Sequence, residues 1–148
     1  MKKRLLIIIL LALALIGCGK KEETKTTNNK GETNMIETSS IKITINNKEY
    51  TLNLLDNPTV NKLKEMLPLE MNMEELNGNE KYIFLGEKFP TNESTPKRIE
   101  AGDVMLYGNN CLVIFYKSFD TPYSYTKIGH IDNLENLGKG SIKVKISE

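Results

Sequence analysis

The sequence predicts a mainly β domain, a small closed barrel of about eight short strands with one or two short helices. Apolar and polar residues alternate over several short stretches, as they do in half-buried strands. Gly, Asn, Asp and Pro residues that favour turns separate these stretches. Evenly spaced short strands are typical of a barrel or a sandwich, and we favour a barrel with a helix over one opening.

A hairpin predicted over residues 102–117 forms the centre of the domain. Gly108, Asn109 and Asn110 between its strands accept the positive φ of a primed turn. The second strand is apolar on both faces, with Cys111, Val113 and Phe115 on one and Leu112, Ile114 and Tyr116 on the other. A strand without a polar face has no solvent side, so we expect it to lie centrally with other residues covering each face.

The elements before this hairpin follow from periodicity and capping. Residues 41–46 and 50–54 alternate as a hairpin with one polar face. An Asx residue and Pro58 begin a short amphipathic helix, which Pro68 ends. Two further strands are predicted at residues 69–74 and 82–85, followed by a long polar loop over residues 86–100.

The elements after the hairpin are a loop, a strand, a helical turn and a closing strand. The loop covers residues 118–124 and carries Pro122 between aromatic residues. A strand is predicted at residues 125–131 and a single helical turn at residues 132–137. Residues 142–146 alternate as a closing edge strand, so the folded domain is expected to cover residues 41–148.

Residues 1–18 have the pattern of an export signal. Lys2, Lys3 and Arg4 precede an apolar run over residues 5–16, which is short for a bilayer span but suits a secretory leader. The run ends in Leu-Ile-Gly before Cys18, and this resembles the lipobox of bacterial lipoproteins. The resemblance implies lipidation at Cys18 and an extracytoplasmic position at the cell envelope. A plain signal peptide or an N-terminal membrane anchor is the alternative.

Residues 19–40 are rich in Lys, Glu, Thr, Asn and Ser, and the sequence predicts a disordered tether there.

The whole chain has 20 Lys and Arg residues against 19 Asp and Glu residues. Removal of the leader removes three of the basic residues, which leaves 17 basic residues and 19 acidic residues in the mature chain. No stripe of clustered basic residues remains, so nucleic acid is not an expected partner. The sequence leaves the oligomeric state open.

Few residues offer catalytic or metal-binding chemistry. His130 is the single histidine, and no Ser or Cys lies in a nucleophile elbow near it. Cys111 is the one thiol left when Cys18 is acylated, so a Cys/His zinc site is not available and neither a metal nor a cofactor is expected. A catalytic set is therefore not predicted.

Tyrosines suggest a ligand site. Those on or beside the central strands are Tyr82, Tyr107, Tyr116, Tyr123 and Tyr125. Core packing explains most of them, but Tyr side chains are often only half buried and commonly line clefts. We place a candidate groove between residues 123–125, Tyr107 and the 90–98 loop, and we include His130 among the ligand-binding candidates.

Four segments resemble the small bacterial cyclophilin-like domain family: DNPTVNKLKEMLPLEM, LNGNEKYIFL, EAGDVMLYGNNCLVIFYKSF and YSYTKIGHID. The resemblance covers residues 41–148 and implies a small cyclophilin-type β-barrel. True cyclophilins isomerise X-Pro bonds with an Arg beside an apolar pocket, because stabilising the twisted amide needs no nucleophile. Their Phe-His-Arg run is not found here, and Arg98 is the only arginine after the leader.

We therefore predict a lipid-anchored protein whose cyclophilin-like barrel binds a peptide or small ligand without catalysis. The alternative is a peptidyl-prolyl isomerase acting on envelope proteins, with Arg98 folded over an aromatic pocket. A third hypothesis, an inert structural module, predicts no concave aromatic cleft.

Overall fold

The structure is a computed structural model that describes residues 37–148. The predicted leader, the lipobox and residues 19–36 of the predicted tether lie outside the described residues. The elements are β1 (Glu37–Ile45), β2 (Lys48–Leu55), α1 (Pro58–Glu65), β3 (Leu69–Leu76), β4 (Glu80–Phe84), β5 (Arg98–Ile99), β6 (Asp103–Tyr107), β7 (Cys111–Phe115), β8 (Phe119–Asp120), β9 (Thr126–Ile131) and β10 (Ile142–Ser147). No helix among these residues is long and apolar enough to cross a membrane.

Eight antiparallel strands close into a barrel in the order β1-β10-β3-β4-β7-β6-β9-β2. The predicted fold class is confirmed. Strand β1 begins at Glu37, earlier than the apolar alternation predicts, because backbone pairing with β2 continues through Ser39 and Ser40 without apolar side chains. Strand β10 pairs with both β1 and β3, so the prediction of an edge strand was wrong. Its alternating pattern suits a barrel wall equally well, since closure removes every edge.

The helix α1 packs its apolar face against the barrel interior. The side chain of Asn57 accepts a 2.9 Å hydrogen bond from the backbone N–H of Val60, and Pro58 occupies the first turn, as the sequence predicted. Val60 and Leu63 are buried in the same apolar cluster as the inward side chains of the strands. The helix is thereby fixed against the core of the barrel.

A second helical turn was predicted at residues 132–137 and is not formed. Asp132 and Asn133 make a turn, and the following residues have no regular structure. Asn133 has a φ of 54°, a left-handed conformation that interrupts a right-handed helix. Leu134 and Leu137 still pack against the core, which accounts for their apolar spacing in the sequence.

A second, smaller apolar cluster lies on the outer face of the barrel wall. Its buried members are Ile99, Met105, Cys111, Val113, Phe115 and Tyr125. The two-stranded sheet of β5 and β8 belongs to this layer, since Phe119 of β8 packs against the cluster beside Ile99. Every residue of β7 is buried, so the prediction that this strand has no solvent face is confirmed.

One lysine is buried with the inward side chains of the barrel. Lys81 of β4 is fully buried, and its Nζ donates hydrogen bonds of 2.7 Å to the carbonyls of Gly138 and Gly140. The same ammonium lies 5.0 Å from the ring centroid of Tyr116. Burial lowers the pKa of Lys81. These contacts hold the 138–140 turn against the barrel.

Candidate functional site

The outer face of strands β4, β7 and β6 carries a continuous apolar surface. Backbone pairing places Phe84, Cys111 and Tyr107 in one row across the three strands. Tyr82 and Val113 form the adjacent row on the same face, because side chains alternate along a strand. These five residues line the floor and one side of a groove.

The opposite side of the groove comes from the segment that follows β8. The ring centroid of Tyr107 lies 6.2 Å from that of Tyr123 and 5.6 Å from that of Tyr125. Two backbone hydrogen bonds of 2.9 Å between Ser94 and Tyr125 hold this segment in place. We call the cavity bounded by Tyr82, Phe84, Tyr107, Tyr123 and Tyr125 the aromatic groove, and its volume is about 400 Å³.

Exposed apolar side chains are concentrated at this groove. Among the residues that the structure describes, four large apolar side chains are exposed: Leu76 at 42%, Phe84 at 66%, Tyr107 at 48% and Tyr123 at 59%. All four line the aromatic groove. A contiguous exposed apolar patch rimmed by polar residues marks a site of interaction, whereas scattered single exposed residues do not.

The turn between β3 and β4 closes one end of the groove. Leu76, Asn77 and Glu80 line this end. Among the residues of the described range that line the groove, Glu80 is the only charged one. Glu80 lies opposite Phe115 on β7 and opposite Leu76 on β3, so apolar residues flank it on both sides. Burial raises the pKa of the Glu80 carboxyl. It forms no ion pair with any residue in the described range 37–148.

The thiol in the floor of the groove is poorly suited to nucleophilic chemistry. Cys111 is only 5% exposed, and burial raises the pKa of its thiol. The thiolate is the nucleophilic form of cysteine, so a raised pKa keeps this group unreactive. The hydroxyl of Tyr82 donates a 3.1 Å hydrogen bond to Glu74, which raises the pKa of the tyrosine. The groove therefore offers ring faces and one carboxylate rather than an activated nucleophile.

The structure brings four of the predicted ligand-binding residues together and separates two. Tyr82, Tyr107, Tyr123 and Tyr125 line the aromatic groove. Tyr116 does not, because it is buried beside Lys81, with its hydroxyl 3.3 Å from Glu75.

His130 also lies outside the groove lining. Its Nδ1 is 3.1 Å from the buried carboxylate of Asp103, which also forms a 3.1 Å ion pair with Lys127. This cluster fixes the start of β6, since Asp103 accepts a hydrogen bond from the backbone N–H of Glu100. These contacts hold the His130 ring beside Asp103, away from the groove.

The 90–98 loop was predicted to form one wall of the groove, and the structure places β4 and the β3–β4 turn there instead. Arg98 is exposed and does not line the groove. Its Nε is 2.9 Å from Glu100 and its Nη1 is 3.1 Å from Asp120, and these contacts raise the pKa of the guanidinium. Arg98 lies opposite Asp120 in the β5–β8 sheet. The loop does not line the groove, but its Ser94 supports the opposite side of the groove through the two backbone hydrogen bonds to Tyr125.

Sequence reasoning did not assign Leu76, Glu80 and Phe84 to the site. One signal was available, since Glu80, Tyr82 and Phe84 alternate along β4 and must share a face. Leu76 offered no such signal, because its position depends on the pairing of β3 with β4. Within the described part of the chain, no group of three or more His, Cys, Asp or Glu side chains is placed to hold a metal ion.

The fold and this groove define a small closed β-barrel domain with an open aromatic cleft on its outer wall. The model of the cyclophilin-like family matches residues 43–147, which is most of the chain, and the chain belongs to that family. Searches of curated proteins and of solved structures found no match.

Proposed function

We propose that the aromatic groove binds a peptide or small ligand and that this domain acts as a binding module without catalysis. One observation carries the proposal: the four exposed large apolar side chains of residues 37–148 converge on one cavity of about 400 Å³. That volume lies within the range of small-molecule sites, roughly 300–1,000 Å³. Tyrosine and phenylalanine rings supply large contact areas at low cost in conformational entropy.

The chemistry of the groove favours binding over isomerisation. Stabilising a twisted X-Pro amide needs a cationic donor beside the apolar pocket. Arg98 is held by Glu100 and Asp120 outside the groove, so the isomerase alternative would require it to leave both carboxylates. An inert structural module would have no concave aromatic cleft, and a cleft is present. We therefore favour the binding module over both alternatives.

The first test is a search for peptide fragments that occupy the groove. Saturation-transfer NMR would be recorded on the full-length chain in dodecyl maltoside, with N-acetyl amino acid methylamides covering all side-chain types as probes. We expect a subset of probes to bind, and the double variant Tyr107→Ala/Tyr123→Ala to weaken that binding by about tenfold or more, because central aromatic residues dominate binding energies.

Tyr50→Ala is the matched control for this test. Tyr50 is partly buried on β2 and does not line the groove. Binding should persist in this control, and circular dichroism should show that all variants remain folded. If no probe binds the wild-type chain, or if the double variant binds as well as wild type, the groove is not a binding site.

We further propose that the domain is anchored at the extracytoplasmic side of a bacterial membrane through lipidated Cys18. The support is the sequence alone, a basic and apolar leader that ends in Leu-Ile-Gly-Cys. Several acyl chains on one residue hold a protein on a membrane more firmly than one chain does. Residues 19–36 would then act as a spacer that sets the distance between the lipid and the barrel.

Replacing Cys18 by alanine should abolish the anchor. Intact-mass spectrometry should show loss of the acyl mass, and the protein should leave the membrane fraction, because alanine has no thiol to acylate. Gly17→Ala is the control, since it keeps both the cysteine and a small residue before it. Unchanged mass and fractionation in Cys18→Ala would exclude lipidation.

A further inference from the structure

The aromatic groove contains a carboxylate, that of Glu80, that forms no ion pair with any residue of the described range 37–148. Glu80 shares the outer face of β4 with Tyr82 and Phe84, and it lies between Leu76 and Phe115 of the neighbouring strands. Elsewhere in the described residues, carboxylates such as Glu70, Glu87 and Asp120 pair with a lysine or arginine. Glu80 makes no such pair within residues 37–148.

This arrangement is complementary to a cation. A carboxylate flanked by apolar side chains is desolvated, so a positive charge beside it is favoured more than it would be in open solvent. The faces of Tyr82, Phe84, Tyr107 and Tyr123 carry negative potential and attract a cation placed over them. No lysine or arginine is found in the lining as described, so no side chain there competes with a cationic ligand.

The chemistry of the lining, tyrosine and phenylalanine rings with one carboxylate, favours a guanidinium over an ammonium group. A guanidinium is planar, stacks on aromatic faces and loses less hydration than an ammonium group. It can also donate two parallel hydrogen bonds to one carboxylate. A groove that combines ring faces with one carboxylate can satisfy all of these interactions at once.

We infer that the groove binds a peptide that inserts an arginine side chain, with the guanidinium paired to Glu80 and stacked on the tyrosine rings. This inference rests on the proposed function and names the chemistry of its ligand. The volume of about 400 Å³ exceeds what one guanidinium fills, and this leaves room for residues that flank the arginine.

The test compares arginine with its uncharged isostere. N-acetyl-arginine methylamide and N-acetyl-citrulline methylamide have nearly the same shape, but only the first is charged. Each would be titrated into the full-length chain in dodecyl maltoside, with binding followed by NMR. We expect the arginine probe to bind at least about tenfold more tightly than the citrulline probe, because a charge-assisted pair to a desolvated carboxylate is the stronger one.

Glu80→Gln removes the charge and keeps the shape of the side chain, and it should abolish the preference for arginine. Glu93→Gln makes the same change of charge at an exposed loop position that does not line the groove, and it should leave the preference intact. N-acetyl-lysine methylamide tests the geometry, and we expect it to bind more weakly than the arginine probe because it cannot form the bidentate pair.

Three results would overturn the inference. Equal binding of arginine and citrulline, or an arginine preference that survives Glu80→Gln, would show that Glu80 does not select a cation. Lysine binding as tightly as arginine would exclude a role for the planar guanidinium. In each case, binding of other probes that is lost in Tyr107→Ala/Tyr123→Ala would leave the proposed function intact. Failure of every probe would reject the proposed function as well.

Discussion

Replacing Gly129 by alanine is expected to unfold the barrel or to destabilise it by about 4 kcal/mol or more. An alanine Cβ at this position would lie 2.1 Å from the carbonyl oxygen of Asn53 and 3.2 Å from a methyl group of Leu52. The first atom is backbone in the adjacent strand β2, which pairs with β9 here. Strand β2 cannot shift outward freely, because closure of the barrel pairs it with β1 on its other side.

The measurement is chemical unfolding of the variant followed by circular dichroism. Gly86→Ala is the control, since nothing lies within 4 Å of the Cβ that it would add. We expect the control to change the free energy of unfolding by less than about 0.5 kcal/mol, as surface substitutions usually do. A Gly129→Ala variant as stable as wild type would mean that β2 and β9 do not approach as closely as described.

The fold was predictable from the sequence to the extent that local patterns determine it. Alternating apolar residues identified the barrel strands, and the two apolar faces of β7 indicated that both of its sides are covered. The role of β10 depended on its partners, because Ile142, Val144 and Ile146 alternate in the same way in an edge strand and in a closed wall. The turn at Asn133 was missed because apolar spacing does not report the sign of φ.

The site was predictable only in part, because several of its residues come together through strand pairing that local patterns do not show. Side chains alternate between the two faces of a strand, so Tyr116 was already predicted to lie on the face opposite to Cys111 and Val113. The absence of Tyr116 from the groove could therefore have been inferred from the sequence. The exposure of Phe84 could not, since an aromatic residue in a strand is usually expected to be buried. The contribution of the β3–β4 turn required the strand register, which arises from long-range pairing.

Phe115 packs between the barrel wall and the outer layer, and Phe115→Ala should reduce the free energy of unfolding by about 3–5 kcal/mol. The side chain is fully buried on the outer face of β7. Its ring centroid lies 5.7 Å from that of Phe119 and 5.6 Å from that of Tyr125. Truncation would leave a cavity beneath both rings, and Tyr125 would lose an edge-to-face contact.

Phe84→Ala is the matched control, because it makes the same substitution at a ring that is 66% exposed. We expect this control to change the free energy of unfolding by less than about 1 kcal/mol. Similar costs for the two variants in chemical unfolding would show that Phe115 is not packed between the barrel and the outer layer.

Hydrogen exchange can separate a local effect of Phe115→Ala from a global one. The backbone N–H groups of Thr121 and Tyr125 donate hydrogen bonds to Lys97 and Ser94, so they report on how firmly the outer layer is held. If Phe115 supports this layer, their exchange should accelerate more than that of barrel amides such as Ile114. The same segment carries Tyr123 and Tyr125, so ligand affinity should fall in this variant even while the barrel remains folded. An equal acceleration at all three amides would instead make Phe115 a residue of the global core, with no separate role in shaping the groove.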